Sequence, residues 1–372
     1  MNPGDTSSHV AVIGGGIAGA FCAYHLARAG VAVTLIERDA VGAHASGANP
    51  GGLNPLHGAG IPGPMAATAL SSFRSHLEHQ EAIRELSGID FAPRRVARVH
   101  LASTDEEAAR LESMRMRYES TPGFAARWME RSDLLAMAPK LSEGFDRGLY
   151  TEGDARVEPA AYTRAVAEAA ARSGARVMLG EVVGIGSTGR RLNSVRLDSG
   201  AIECDGAVFA VGPWIAGPAR WLGARFSVAP VKGELLLVDA PGASIECDFI
   251  WNDAAIYAVG GARFWLGGTE DRVGLNSRPT PAARESILGR TANIIPPLSQ
   301  ARIVRQTAAL RPVTPDGWPI VGWAPGWENV AVALGGGRKG MLLSAAMGLA
   351  AAELMTAGSS GRSTMRFPSG GS

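Results

Sequence analysis

Two hydrophobic rhythms divide the chain. The stretch His9-Val10-Ala11-Val12-Ile13 is apolar from Val10 on, residues 20–29 are alanine-rich with helical spacing, and 31–36 form a second apolar run. Short apolar runs bounded by glycine read as buried strands of a parallel sheet, so this opening predicts a β-α-β unit. Its glycines fall as Gly14-x-Gly16-x-x-Gly19, and its second strand ends on the acid Glu37. Gly14 permits a tight turn, Gly16 lets backbone approach a pyrophosphate, and Gly19 lets the helix pack close to the sheet. Ile17 and Ala18 open the helix, whose positive dipole end suits phosphate, and Glu37 can accept hydrogen bonds from ribose hydroxyls.

Helical patterns follow over 64–86, 103–120 and 159–173, and strand patterns over 96–101, 176–179 and 181–185. Asp105, Glu106 and Glu107 at the start of the second helix complement its dipole. The segment 204–214 is nearly all apolar into Gly212-Pro213-Trp214, which reads as the last parallel strand of the sheet with a tight exit turn. From 226 to 310 the pattern becomes apolar/polar alternation with turn glycines. It predicts antiparallel strands over 228–238, 255–259, 264–268 and 301–309, with one helix over 280–292. The chain then returns through a strand at 330–334, the loop Gly335-Gly336-Gly337-Arg338-Lys339-Gly340 and an almost wholly apolar, hence buried, helix over 341–355. The order implies a mixed α/β (α+β) chain in which a Rossmann-like domain is interrupted by a β-rich one.

Composition narrows this picture. The 372 residues, 46% of them hydrophobic, suffice for two cores. A net charge of +1 without a basic block gives no reason to expect nucleic acid. Three scattered cysteines, Cys22, Cys204 and Cys247, form no CxxC pair, so neither a disulfide framework nor a metal site is expected. The polar N-terminus lacks a signal pattern, and no run approaches the roughly 18 apolar residues of a membrane span. A cytoplasmic protein without a membrane span is therefore expected, with a homo-oligomer left open. The loop 42–53 carries small side chains that suit close approach of a flat or bulky group, or else a flexible surface loop.

These pieces, in this order, resemble the D-amino-acid oxidase superfamily of flavoproteins, and most of all its glycine oxidase and sarcosine oxidase branch. The carriers are the N-terminal β-α-β unit, Ala45-Ser46-Gly47, the strand from Asp205 to Gly212-Pro213-Trp214, Leu310-Arg311-Pro312 with Asp316-Gly317, and Gly337-Arg338-Lys339-Gly340-Met341. The resemblance implies FAD. It implies an FAD-binding domain of residues 1–90, 151–218 and 306–358, interleaved with a substrate domain of 91–150 and 219–305 built on a large antiparallel or mixed sheet. Residues 359–372, rich in Gly and Ser, would be a flexible tail. It also implies cofactor contacts: Glu37 at the ribose, Arg38 and Val183 at the adenine, and Ala45 and Ser46 at the pyrophosphate. Pro50, Gly51 and Gly52 would lie beside the isoalloxazine with Leu53 a further cofactor contact, Gly212 and Trp214 at the strand exit, and Gly336, Gly337, Arg338, Lys339, Gly340, Met341 and Leu342 at the pyrimidine edge. Covalently flavinylated relatives carry a cysteine just before the position of Arg311. Here Ala309 and Leu310 stand there, so non-covalent FAD is expected.

Reduced flavin is negatively charged near N1 and O2, and the N-terminus of the 341–355 helix with Lys339 beside it suits that charge. Arg338 and Arg311 match family arginines lining the substrate site, with Arg338 as the expected carboxylate anchor. A guanidinium offers two parallel donors and stays charged when desolvated. Tyr257 matches a tyrosine closing the carboxylate end, or else packs in a sheet. Glu270 either recognises a substrate amine or basic side chain, or is a turn acid beside Asp271; His57 is an active-site or a structural histidine. The implied reaction is oxidation of a C–N bond in a glycine, sarcosine or D-amino acid type substrate, by hydride transfer from Cα to flavin N5. The imine hydrolyses to an oxo acid, and oxygen (giving peroxide) or an electron carrier reoxidises the flavin. Three rivals remain at this point: a D-amino-acid or imino-acid dehydrogenase using a quinone or carrier, a tRNA wobble-uridine carboxymethylaminomethyl oxidase-like domain, and a catalytically silent FAD-binding scaffold.

Overall fold

A computed structural model describes residues 8–357, so the expected tail at 359–372 lies outside the described residues. The first half runs β1 (His9–Ile13), α1 (Ile17–Arg28), β2 (Ala32–Glu37), β3 (Gly52–Leu53), α2 (Ala66–Ser87), β4 (Arg94–Ala102), α3 (Asp105–Glu119), β5 (Ala125–Glu130), α4 (Arg131–Met137) and β6 (Arg147–Arg156). Then come α5 (Pro159–Arg172), β7 (Arg176–Leu179), β8 (Val182–Thr188), β9 (Arg191–Leu197), β10 (Gly200–Glu203), β11 (Gly206–Phe209) and α6 (Ala216–Leu222). The remainder is β12 (Ala229–Asp239), β13 (Asp248–Trp251), β14 (Ala254–Gly260), β15 (Arg263–Gly267), α7 (Pro281–Ala292), β16 (Arg302–Val313), β17 (Ile320–Trp323), β18 (Val330–Leu334) and α8 (Gly340–Ala357).

Six strands form one sheet in the order β17-β18-β11-β1-β2-β7. All neighbours are parallel except β17 against β18. Both faces are covered, which is why β1 is apolar throughout its interior: Val10 and Val12 join a core with α1, α2, α5 and α8, while Ala11 and Ile13 join one with β9 and α6. The segment 204–214 is not the last parallel strand. β11 lies inside the sheet, because the later 330–334 strand adds in parallel beyond it.

A nine-stranded mixed sheet, β16-β12-β15-β14-β13-β4-β6-β3 with β5 on β6, makes the second layer. β6 runs through the expected domain boundary at 150/151, and β16 through that at 305/306. β4 and β13 are parallel and the other pairs antiparallel. The expected absence of any long apolar run needs correction. Among the described residues, Gly337–Ala357 is long and apolar enough to cross a membrane by length and composition. Here it is a core helix: Leu342, Leu343, Ala345, Ala350 and Ala351 are buried against α1, α2 and the sheet. Small residues allow that close packing, and a Cβ on Gly348 would lie 2.4 Å from the Phe21 side chain.

Candidate active site

A cavity of about 1350 Å³ runs between the two sheets, larger than the roughly 300–1,000 Å³ of an ordinary single-ligand pocket. One end is made of the β1–α1 turn and the chain ends of the parallel strands. Gly14 has φ +107°, and a Cβ there would lie 2.5 Å from the Ala210 carbonyl oxygen. A Cβ on Gly19 would lie 2.0 Å from the Gly14 oxygen, so Gly19 brings α1 against the turn and does not line the cavity. Glu37 is buried and pinned from both sides, accepting from the Gly15 amide at 2.7 Å and the Asp39 amide at 2.9 Å. Each oxygen keeps acceptor capacity for a further hydroxyl. The Ser46 hydroxyl accepts from the Ile17 amide at 2.9 Å and caps the helix entry. The guanidinium of Arg38 lies 4.6 Å from the Trp214 ring, and His44 packs on the same ring.

The 42–53 loop is ordered by Asn49, which donates to the carbonyls of Ala45 and Ser46 and accepts from the Gly51 amide. Gly14, Gly16, Ile17, Ala18, Glu37, Arg38, Ala45, Ser46, Pro50, Gly52, Val183, Gly212, Trp214 and the run from Gly336 to Met341 all face the cavity. Gly51, Leu53 and Leu342 do not. Gly51 takes φ +75° against the Val157 carbonyl, and Leu53 and Leu342 are buried in the core.

Arg311, Arg338, Tyr257, Glu270 and His57, drawn from distant parts of the chain, converge on the other end. The two arginines differ. Arg311, on β16, lies flat on β12, where a Cβ on Gly233 would be 2.1–2.2 Å from its guanidinium atoms. It donates to the Thr269 carbonyl at 3.0 Å, its one hydrogen bond among the described residues. Burial pulls its pKa below the ordinary value, with Glu270 opposing, and an arginine remains charged through such a shift. Arg338 is 54% exposed, and its Nε lies 3.4 Å from a Glu270 oxygen. The two arginines thus differ in availability: Arg311 is recessed with donors to spare, and Arg338, the expected carboxylate anchor, is half-exposed and paired with Glu270.

Beneath this end lies a buried polar network not anticipated from sequence. Arg98 donates to Asp154 at 2.6 Å and Asp248 at 3.0 Å, and Arg156 pairs with Asp248 and sits 5.3 Å from the Tyr257 ring centre. Burial works against the Arg98 charge, but the two carboxylates outweigh it and hold the guanidinium above its ordinary pKa. Tyr118 donates to Asp154 at 2.9 Å, so it must accept from His57 Nδ1 at 2.8 Å, which leaves His57 Nε2 to accept from Asn54 at 2.9 Å. Burial, reinforced by His100, Arg98 and Lys339, keeps His57 well below its usual pKa. A neutral His57 with both nitrogens engaged positions the network and is not a free acid or base. Lys339 crosses to the 54–57 segment and donates to the carbonyls of Asn54 and His57; burial lowers its pKa to about 7, with Asp154 opposing. Asn49, Asn54, Arg98, Tyr118, Asp154, Arg156, Gly233 and Asp248 are the site residues missed in the sequence. The available signal was charge at inward strand positions, Arg98 and His100 flanking Val99 on β4.

The profile of the family described as FAD dependent oxidoreductase matches residues 9–354. The chain belongs to that family. The glycine oxidase of Geobacillus kaustophilus is 31% identical over 353 residues, covering 93% of this chain and 92% of that protein. That of Bacillus licheniformis is 29% identical, covering 92% of each. The crystal structure of the Geobacillus kaustophilus glycine oxidase superposes with a TM-score of 0.86 at 30% identity, over 94% of this chain and 95% of that one. The family's FAD fits the cavity: its volume of about 1350 Å³ leaves room for a dinucleotide, and its glycines stand where a side chain would fill the turn. The enzyme is thus an FAD-dependent amine or amino-acid oxidoreductase of glycine oxidase-like fold.

Proposed function

We propose that the protein oxidises the C–N bond of a small α-amino acid or N-alkyl glycine. The observation that carries this reading is Arg311: a rigid guanidinium recessed on the cavity wall, with unused donors, beside Tyr257. Such a fork suits one carboxylate and fixes its direction. Non-covalent FAD bound against the glycine turn, Glu37 and Ser46 would supply the two-electron acceptor; Ala309 and Leu310 offer no nucleophile for attachment. The chain's own part is orientation. Arg311 holds the carboxylate, Tyr257 closes that end, and the network from Arg98 to Tyr118 keeps the wall rigid. A neutral amine gives up a hydride from Cα, whose two electrons the bound FAD would accept, and a proton from nitrogen to become an imine; water converts the imine to an oxo acid and ammonia or an amine.

The test is anaerobic bleaching of the FAD-loaded protein by glycine, sarcosine, D-amino acids, D-proline and N-alkyl glycines. At least one should bleach the flavin; silence across the whole set overturns the reading. Peroxide release on admitting air then identifies oxygen as the acceptor, and its absence with turnover by a quinone identifies a dehydrogenase.

A further inference from the structure

Resting on that reading, we propose that Glu270 is a specificity-determining residue: through its ion pair with Arg338 it favours substrates bearing a second, cationic arm and turns away those bearing a second carboxylate. The geometry separates two zones. Arg311 and Tyr257 are recessed, as the carboxylate end must be. Arg338 and Glu270, at 54% and 49% exposure, stand further toward solvent, where an arm leaving the reacting carbon would pass.

Arg338 alone would make that zone cationic and attractive to a second carboxylate. Glu270, 3.4 Å from its Nε, cancels that charge where it matters. Nor is Glu270 committed elsewhere, since Arg338 is its one ion-pair partner among the described residues. Asp271 follows it, fixed by a reciprocal backbone bridge to Lys232 at 2.8 and 2.9 Å, and its carboxylate has no side-chain partner among the described residues. Both acids act on Arg311 through space, which places them over the same end of the cavity. Across this end, Arg290, Arg311 and Arg338 face Asp253, Glu270 and Asp271. Arg290 is already spent on the carbonyls of Gly268 and Asp253. Once Arg311 has taken the α-carboxylate, the surplus near the arm is negative. With Glu270 offset by Arg338, one carboxylate charge is left uncompensated there; a cation gains it and an anion meets it.

The experiment measures anaerobic flavin reduction in the holoenzyme with matched arms. D-norvaline, D-ornithine and D-glutamate form one series, and N-propylglycine, N-(3-aminopropyl)glycine and N-(2-carboxyethyl)glycine the other. In the wild type the cationic arm should exceed the anionic arm at least tenfold in rate per concentration in the series that is turned over. Glu270→Gln, which keeps shape and removes charge, should shrink that ratio by tenfold or more. Added salt should shrink it in the wild type but not in the variant, because the pair is half-exposed. FAD content and melting temperature confirm that the variant is folded; Glu270→Met serves if the amide variant is not. An unchanged ratio overturns the proposal, and so does an equal loss for every substrate, which would assign Glu270 to the common reaction. Failure of all amines to bleach wild-type flavin has a different signature and overturns the underlying reading.

Discussion

The two ends of the cavity are built on opposite principles. The nucleotide end uses backbone: Gly14 and Gly16 form the turn and Gly19 seats the helix behind it, while Ser46 and Glu37 tie down amides. The substrate end uses charge in a β-sheet, with Arg98, Asp154, Arg156 and Asp248 all nearly inaccessible. A polyanion held by amides needs close approach and little else, so small residues suffice. A small zwitterion must be oriented by a few groups, and each must be held rigidly against loss of solvation. The cofactor end should therefore fail by losing its ligand, and the substrate end by losing activity with the ligand in place.

The largest effect tests that separation directly. Arg311→Ala should keep FAD and lose about a hundred- to several-thousand-fold in kcat/KM, the equivalent of about 3–5 kcal/mol for breaking a buried ion pair. Arg338→Ala should lose clearly less, because its charge is half-exposed and shared with Glu270. Gly233→Ala should behave as a mild Arg311 variant, since its Cβ displaces the guanidinium. Gly14→Ala, in contrast, should release FAD, because its backbone needs φ +107° and its Cβ meets the Ala210 carbonyl. Steady-state kinetics beside the flavin absorbance of the purified protein decide this. If Arg311→Ala lost FAD, or Gly14→Ala kept FAD and lost only turnover, the separation would collapse.

A second, smaller effect concerns the platform. Asp154→Asn removes the charge that Arg98 and Tyr118 share and should destabilise the fold by about 1.5–3 kcal/mol in denaturant unfolding. The matching change on a surface pair, Glu81→Gln beside Arg84, should cost under about 0.5 kcal/mol. Equal costs would mean that Asp154 is not holding the platform together.

The same contrast explains what could be read from the chain. The nucleotide end was legible because its parts are local: strand, glycine turn, helix, strand and acid lie within one continuous stretch, and each glycine has a steric reason. The strands 228–238, 264–268 and 301–309 announced themselves by alternation and became β12, β15 and β16. What stayed hidden is assembled from afar. Arg98 meets Asp248 across β4 and β13, a parallel pairing with no local signature, and Asp154 arrives from β6. β6 was not anticipated because its inward positions carry Asp154 and Arg156 where a core strand ordinarily has apolar residues. Lys339 and His57 were visible singly, but only the fold shows that the lysine donates to the carbonyl of His57 itself. Register inside the parallel sheet was equally unreadable: nothing in 204–214 reveals that 330–334 will add outside it.

The smallest effect is a pH dependence at the seam between the two ends. Lys339 starts in the glycine loop before α8 yet ends in the polar network, facing Asn54 and His57 from the loop, Arg98 from β4, Asp154 from β6 and neighbouring Arg338. Burial lowers its pKa to about 7 from an ordinary 10.5, against the pull of Asp154. Below pH 7 both the folded and the unfolded chain hold this proton, so it contributes no slope. Between about 7 and 10.5 the unfolded chain holds it and the folded chain has shed it, so the contribution to stability rises with pH. Lys339→Met should abolish that rise. In thermal unfolding of FAD-free protein from pH 6.5 to 9.5, the wild type should gain on the variant steadily above pH 7. Parallel curves would show that Lys339 keeps its proton across the range. The ammonium would then be a permanent charge of the substrate-end network, and the seam would belong wholly to the charged half of the molecule.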